Sequence, residues 1–441
     1  MTASINRKRF FISSNLWILI PLILLSVIGI VTLLSTRVLP EGGFGDLSIV
    51  YKQIFALVIG WTAYILLSKI DISYFKYWQI LLSIFIITII LLLIPLIFGP
   101  SINGVRRWIV IGEFQLQPSE IAKLAVILIT AGIFSIKDKF NEWILFGISL
   151  VSAFIIFLLV YLEPGGSMSI LIFSTWFVVS FLALKNPLRN TLLLVIIGSI
   201  SLGILLPSIT GNNYFYLLAL LGVIITTFSI YSRKISKIFI IVSVLISIIL
   251  GLGASVLWRV VLKDYQKDRI VAFFNPEETA SNIGFNVNQS KIAIGSGQIF
   301  GKGFGNGTQS KREFIPEHET DFIFASFAEE FGLVGSLFLI SLYGVIIISC
   351  FLTGINAGGE KLYSLISIGV GIQILLVVFV NIGTNLGAIP ATGIPLPLMS
   401  SGGTVTILTL ASLGLVQNIN HQYLKNTKNR SKQIIDTYEI S

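Results

Sequence analysis

The chain has 441 residues and is 54% hydrophobic but only 12% charged, where soluble domains carry roughly 25% charged residues. Several apolar runs exceed the roughly 18 residues that mark a membrane-spanning helix, and they are continuous rather than alternating, which excludes a β-barrel. The net charge of +9 sits at the ends of these runs, not in one basic block, so it reads as membrane topology and excludes nucleic-acid binding.

Taken in order, Arg7, Lys8 and Arg9 precede the first apolar run and place residues 1–15 in the cytoplasm. That run, 16–36, has no small-residue cleavage site behind it and reads as a retained span, not a signal peptide. Further spans are expected over 50–68, 77–98, 118–136, 143–162, 167–184, 188–209, 213–232 and 235–258, and then over 333–355, 362–386 and 402–422. The fold class is therefore an all-α polytopic membrane bundle of about 12 transmembrane helices, with ten as the alternative count. Nine spans fall within 16–258 and three within 321–422, separated by a large polar loop over 259–320. Residues 423–441 form a polar cytoplasmic tail, expected to be disordered. Lys and Arg concentrate on the side that holds both termini, so the segment 99–117, the turn Glu163-Pro164-Gly165-Gly166 and the loop 259–320 are expected on the extracytoplasmic side. Pro390, Pro395 and Pro397 on that side predict a non-helical insertion at membrane depth. Cys350 is the only cysteine and reads as a small core residue.

Ionisable residues crowd into Gly301–Gly332, GKGFGNGTQSKREFIPEHETDFIFASFAEEFG. Such a cluster beside so much hydrocarbon is costly unless it faces water or does chemistry. Its glycines raise the question of a phosphate loop, but the spacing fails: Ser296 stands where glycine is needed before Gly301-Lys302, and Gly303 stands where Ser or Thr is needed. The glycines are expected to make tight turns, and ATP-driven work is not expected. Thr320 fits a helix N-cap with Asp321 in the first turn of a helix ending near Phe331. Asp321 is either an acidic residue favoured by the helix dipole or a carboxylate base at the membrane boundary. Arg106 and Arg107 suit a lipid pyrophosphate on the outer face, and Trp108 either stacks on a sugar or sits in the interfacial belt. Arg269 and Lys291 are further candidates for phosphate contact, with Lys302 and Arg312 as supporting cations. Glu120 and Lys123 share one helix face and are expected to pair inside the bundle. No metal-ligand spacing is present.

At these residues the chain resembles the SEDS family (shape, elongation, division and sporulation), most closely its RodA-type branch. The motifs are NGVRRWI at 103–109, QPSEIAKL at 117–124, DYQKDRI at 264–270, QSKIAIGSG at 289–297, GKGFGNGTQS at 301–310, PEHETDFIFA at 316–325, AEEFGLVG at 328–335 and PLPLMSSGG at 395–403. The segment NGTQS favours that branch over the division-type FtsW relatives. The resemblance runs from the first span to about Gln422. It implies a peptidoglycan glycosyltransferase that polymerises lipid II at the outer face of the bacterial plasma membrane, working with a class B penicillin-binding transpeptidase and other cell-shape proteins. It makes Asp321 the match to the family's essential aspartate, Trp108 the match to an important tryptophan, and Glu120 with Lys123 the match to an intramembrane pair. No cofactor is implied beyond a divalent cation, Mg or Mn. A lipid II flippase and a non-catalytic scaffold for the transpeptidase are the alternative functions.

The chain departs from the family pattern in three places. Glu163-Pro164-Gly165-Gly166-Ser167 lacks the aspartate of the usual PDLGT-type turn, Ser400-Ser401-Gly402-Gly403 lacks the tyrosine of the usual SYGG, and Asn212–Trp258 reads as a hairpin added to the family's ten spans.

Overall fold

The protein is described from a computed structural model covering residues 15–39, 43–101, 105–112, 114–136, 140–184, 283–308, 318–357 and 359–440, with isolated positions between 190 and 273. Among these residues the helices are α1 (Leu16–Ser35), α2 (Ser48–Leu67), α3 (Trp78–Phe98), α4 (Pro118–Ser135), α5 (Glu142–Leu162), α6 (Gly166–Ala183), α7 (Ile283–Ser296), α8 (Ile323–Asn356), α9 (Lys361–Asn385) and α10 (Gly403–Ile440), with a 3₁₀ turn over Ile72–Lys76. Strands β1 (Ile109–Ile111) and β2 (Phe114–Leu116) form one antiparallel hairpin, Ile109 opposite Leu116.

Eight of these helices, α1–α6, α8 and α9, are long and apolar enough to cross a membrane. They match eight of the expected spans, and the chain is a polytopic helical membrane protein. The expected spans 188–209, 213–232 and 235–258 fall largely outside the described residues. The last expected span, 402–422, is the first half of α10. The tail expected to be disordered is instead the continuation of that helix to Ile440; the polar residues from Lys425 onward contain neither glycine nor proline, so nothing in them breaks the helix.

The chain divides into two compact units, one of residues 1–183, 289–386 and 393–441, the other of residues 184–288 and 387–392. In the first unit α4 is the central helix: 83% of its span is buried, against 17% of α3, whose apolar surface remains open. α4 packs on α3, α5, α6 and α9, while α1 packs on α8 and α2 on α10. Lipid chains are as apolar as Leu, so close packing and polar contacts must hold such helices together. The polar contacts are present: Gln53 of α2 donates to Thr406 of α10 (2.9 Å), and Ser367 of α9 donates to the carbonyl of Cys350 on α8 (2.7 Å).

Candidate active site

Pro118 sits in the first turn of α4, as expected of a residue with no N–H to lose there. Two residues on, Glu120 pairs with Lys123 at 2.7 Å, both buried in the bundle. The hairpin β1–β2 leads into this helix and is tied to α10, because Thr404 donates to the carbonyl of Gln115 (3.0 Å) and accepts the N–H of Gln117 (3.2 Å). Trp108 precedes β1 and is half-buried, and Arg106 is exposed. Arg107 instead turns to the Glu163-Pro164 turn, donating to the carbonyls of Glu163 (3.1 Å) and Pro164. Glu163 itself is buried, and its Oε1 accepts no hydrogen bond among the described residues. Burial pushes its pKa from 4.5 to about 8, against the opposing charge of Arg107.

Asp321 lies in the turn 318–322, ahead of α8 and half-buried. The expected Thr320 cap is not what starts this helix. The N-cap position is Phe322, with no side-chain cap bond. The capping is done by another helix: Asn385 Oδ1 of α9 accepts the N–H of Ala325 at 3.1 Å. The same asparagine donates through Nδ2 to the carbonyl of Asp321 (3.0 Å), and Asn381 Nδ2 donates there too (2.9 Å).

The proline-rich segment holds the turn from its other side. Residues 386–402 are non-helical, as the prolines predict. Ser400 donates its hydroxyl to the carbonyl of Thr320 and accepts the N–H of Leu396, and the N–H of Ser401 reaches the carbonyl of Glu319 at 2.8 Å. Leu398 adopts a left-handed φ of 67° while fully buried. Tyr343 of α8 fixes that strained bend by donating to the carbonyl of Pro397 at 2.5 Å.

The helix that begins after Asp321 is short. Gly332, at φ 66° and ψ −164°, breaks α8 after Phe331, close to the end expected from the sequence. Only glycine enters this region freely. A break inside a membrane span orphans carbonyls and N–H groups, which must find partners in protein. The loop 298–303 supplies them. The N–H groups of Lys302 and Gly303 donate to the carbonyls of Glu329 (3.0 Å) and Glu330 (2.9 Å), and the N–H groups of Leu333 and Val334 donate to the carbonyls of Gln298 (2.9 Å) and Ile299 (3.1 Å). At Gly301, φ is 79° and a Cβ would lie 2.1 Å from the carbonyl oxygen of Glu330. The glycines that raised the phosphate question therefore serve to lay one backbone against another.

The side chains of the last turn before the break are buried carboxylates. Glu329 is fully buried and accepts from Lys302 Nζ (2.5 Å), from Thr308 N–H (2.9 Å) and hydroxyl (2.8 Å), and from Ser296 (3.3 Å). Glu330 accepts from the hydroxyl of Ser35 at the end of α1, and that hydroxyl accepts the N–H of Gly305 (2.8 Å). Two residues further along, Arg37 pairs with Glu319, whose carboxylate also lies 3.8 Å from His318.

Of the other expected site residues, Lys302 is engaged by Glu329 and Lys291 is exposed on α7. Arg269 belongs to the second unit, where it donates to the carbonyl of Thr392 (3.1 Å). Arg312 lies outside the described residues. The residues around Asp321 that the sequence does not single out are Ser35, Arg37, Asn381 and Asn385, while Ser400 enters there only as part of the SSGG motif. A signal existed for the two asparagines, since they stand four apart in an otherwise apolar span. Among the described residues no three His, Cys, Asp or Glu side chains are placed to hold a metal ion.

The FtsW/RodA/SpoVE family model, described as "Cell cycle protein", matches residues 14–215 and 214–425. The chain is 32% identical over 428 residues to the peptidoglycan glycosyltransferase MrdB of Escherichia coli, covering 95% of this chain and 97% of that relative. It is 31% identical over 430 residues to the peptidoglycan glycosyltransferase RodA of Treponema pallidum, covering 92% and 97%. The crystal structure of the rod shape determining protein RodA of Thermus thermophilus is similar in fold, with a TM-score of 0.58, 21% identity, and coverage of 93% of this chain and 97% of that one. A chain from a structure on the coordination of polymerization and crosslinking by a peptidoglycan synthase complex is also similar in fold, with a TM-score of 0.65, 22% identity, and coverage of 93% and 98%. The resemblance carried by the motifs around Asp321 is thus matched along nearly the whole length, and the chain belongs to the FtsW/RodA/SpoVE family of cell cycle proteins.

Proposed function

We propose that the chain is a peptidoglycan glycosyltransferase that polymerises lipid II into glycan strands at the outer face of the plasma membrane, with Asp321 as its base. The observation that carries the role of Asp321 is its setting. The turn is gripped through its backbone by Asn381, Asn385 and the 394–401 segment, and it stands at the start of a half-helix. A carboxylate so held can take the proton from the 4-hydroxyl of an acceptor sugar. The freed oxygen attacks the anomeric carbon of the donor, the bond to the lipid pyrophosphate breaks, and the pyrophosphate leaves with the electron pair. The proton stays on Asp321 until water removes it. Energy comes from the bond between the donor sugar and the lipid pyrophosphate, in keeping with the failed phosphate-loop spacing.

Arg106, exposed beside Trp108, is the cation we assign to the departing pyrophosphate. The cofactor proposed is at most a divalent cation, Mg or Mn, which would help neutralise the departing pyrophosphate. The proposed orientation has both termini in the cytoplasm and Asp321 outside, a reading that the positive-inside bias supports. The proposed partner is a class B penicillin-binding transpeptidase in a cell-shape complex, which cross-links the strands.

The test is glycan formation from lipid II by the purified chain, resolved on a gel, with wild type beside Asp321→Asn and Asp321→Ala. Polymer from wild type and none from either variant is the expected result. Lipid II movement across vesicles without polymer would favour the flippase, to which the buried Glu120–Lys123 pair is also suited. Full polymerisation by Asp321→Ala would sink the assignment of the base.

A further inference from the structure

Between α1 and the element that carries Asp321 there are two polar attachments. At one end, Arg37 pairs with Glu319, two residues before Asp321 in the same turn. At the other, Ser35 donates to Glu330 in the last turn before the break at Gly332. Ser35 and Glu330 are both buried, at 0% and 2% exposure. The same Ser35 hydroxyl accepts the N–H of Gly305, so it also fixes the glycine loop that pairs with the broken helix. Val38 follows directly and fills the space beside Gly305, whose missing Cβ would lie 3.2 Å from its methyl groups. The chain then turns back through a bridge between Val38 and Phe44.

We propose that the end of α1 is a brace for the base: Arg37 and Ser35 are positioning residues that hold the half-helix at both ends and thereby set where the Asp321 carboxylate stands. This rests on the reading of Asp321 as base. The chemistry fits a positioning role better than a purely structural one. The half-helix spans only 323–331, too short to hold its direction alone. A serine shared between a carboxylate and a backbone N–H fixes one end in three dimensions. A guanidinium nitrogen of Arg37 on the Glu319 carboxylate, a charge-assisted contact, fixes the other. Neither attachment touches the Asp321 carboxylate, so both act through Glu319 and Glu330. A small misplacement of a reacting group lowers the chemical step strongly while leaving substrate affinity nearly intact.

The test uses the full chain in detergent with lipid II, measuring kcat, KM and thermal midpoint. Arg37→Ala is expected to lower kcat about tenfold or more, with KM within about twofold and the midpoint nearly unchanged. Arg37→Lys keeps the charge on a head of different shape and reach and is expected to fall between. The exchanged pair, Arg37→Glu with Glu319→Arg, is expected to recover a third or more of wild-type kcat, while each single exchange stays at or below Arg37→Ala. Ser35→Ala is expected to lower kcat further when added to Arg37→Ala. The brace is overturned if Arg37→Ala and Ser35→Ala both keep kcat within about twofold of wild type, or if the exchanged pair is as poor as its singles. Should Arg37→Ala fail to fold, Arg37→Lys and the exchanged pair decide in the same terms. Asp321→Asn runs beside them: polymer that depends on Asp321 but not on Arg37 or Ser35 ends the brace alone, and polymer independent of Asp321 ends the base reading with it.

Discussion

Asn385 holds Asp321 by its backbone rather than by its carboxylate: Nδ2 donates to the Asp321 carbonyl at 3.0 Å while Oδ1 accepts the N–H of Ala325 at 3.1 Å. One fully buried side chain thus links the turn before the half-helix to its first turn. Asn385→Ala removes both bonds, and a further donation to the carbonyl of Asn381 at 2.9 Å. The Asp321 carbonyl keeps Asn381 and the Ala325 N–H keeps the carbonyl of Phe322 (3.0 Å), so the loss is that of the bonds themselves, about 0.5–1.5 kcal/mol each, and the thermal midpoint should fall by a few degrees. Polymerisation should fall by more than that loss of folded protein explains, because the base is displaced. Asn385→Asp keeps the acceptor but turns a second oxygen toward the Asp321 carbonyl, and should be no better than Ala. A variant with wild-type kcat would show that α9 does not orient the turn.

Gly332→Ala tests the break in α8. Its φ of 66° lies where a side chain is strained, and the added Cβ would lie 2.4 Å from the backbone nitrogen of Gly301. Strain of this kind costs on the order of 1–3 kcal/mol, and the steric conflict adds to it because both partners are backbone. The variant should lose thermal stability and polymerisation together. Gly344→Ala on the same helix meets open space and should be neutral or slightly stabilising. Equal behaviour of the two variants in a melting experiment would contradict the account of the loop and the broken helix.

Those two features differ in how far the sequence foretold them. The spans could be read because twenty apolar residues in a row have one physical solution in lipid. The break could be read because Gly332 ends the AEEFG stretch before the next apolar run, and the insertion near 390–400 because of its prolines. Asp321 could be singled out through its motif. The partners of these features could not be read. Ser35 meets Glu330 across 295 positions, and the carbonyls of Glu329 and Glu330 meet a glycine loop roughly thirty residues earlier. A backbone N–H that seeks a carbonyl leaves no trace in residue type. The Thr320 cap failed for the same reason: the local rule was sound, but Asn385, from a helix sixty residues downstream, had taken the position at Ala325.

Glu163 gives a prediction in pH. Burial holds its carboxyl protonated, raising the pKa from 4.5 to about 8. The folded chain therefore binds a proton that the unfolded chain releases, and folded stability must fall as pH rises between those values. Below 4.5 both states are protonated and the contribution is full; above about 8 it is gone. The total is on the order of a few kcal/mol at about 1.4 kcal/mol per pKa unit. Glu163→Gln cannot titrate and should flatten the slope of thermal midpoint against pH across that window. An unchanged slope would mean that the turn bound by Arg107 does not stay dry.

Lys302 and Glu329 form an ion pair with one buried half. The lysine is 26% exposed and the carboxylate is fully buried, so the two halves are not equivalent. Lys302→Met leaves a charged Glu329 among Thr308 and Ser296 with no cation, and breaking a buried pair in this way costs about 3–5 kcal/mol. Glu329→Gln leaves the ammonium with access to water and should cost less. The double variant removes both charges and should be more stable than Lys302→Met alone, since the stranded carboxylate is gone. Thermal midpoints of the two singles and the double give the coupling directly. If Lys302→Met were the mildest of the three, the pair would be a surface contact, and the loop 298–308 would depend on its backbone bonds alone.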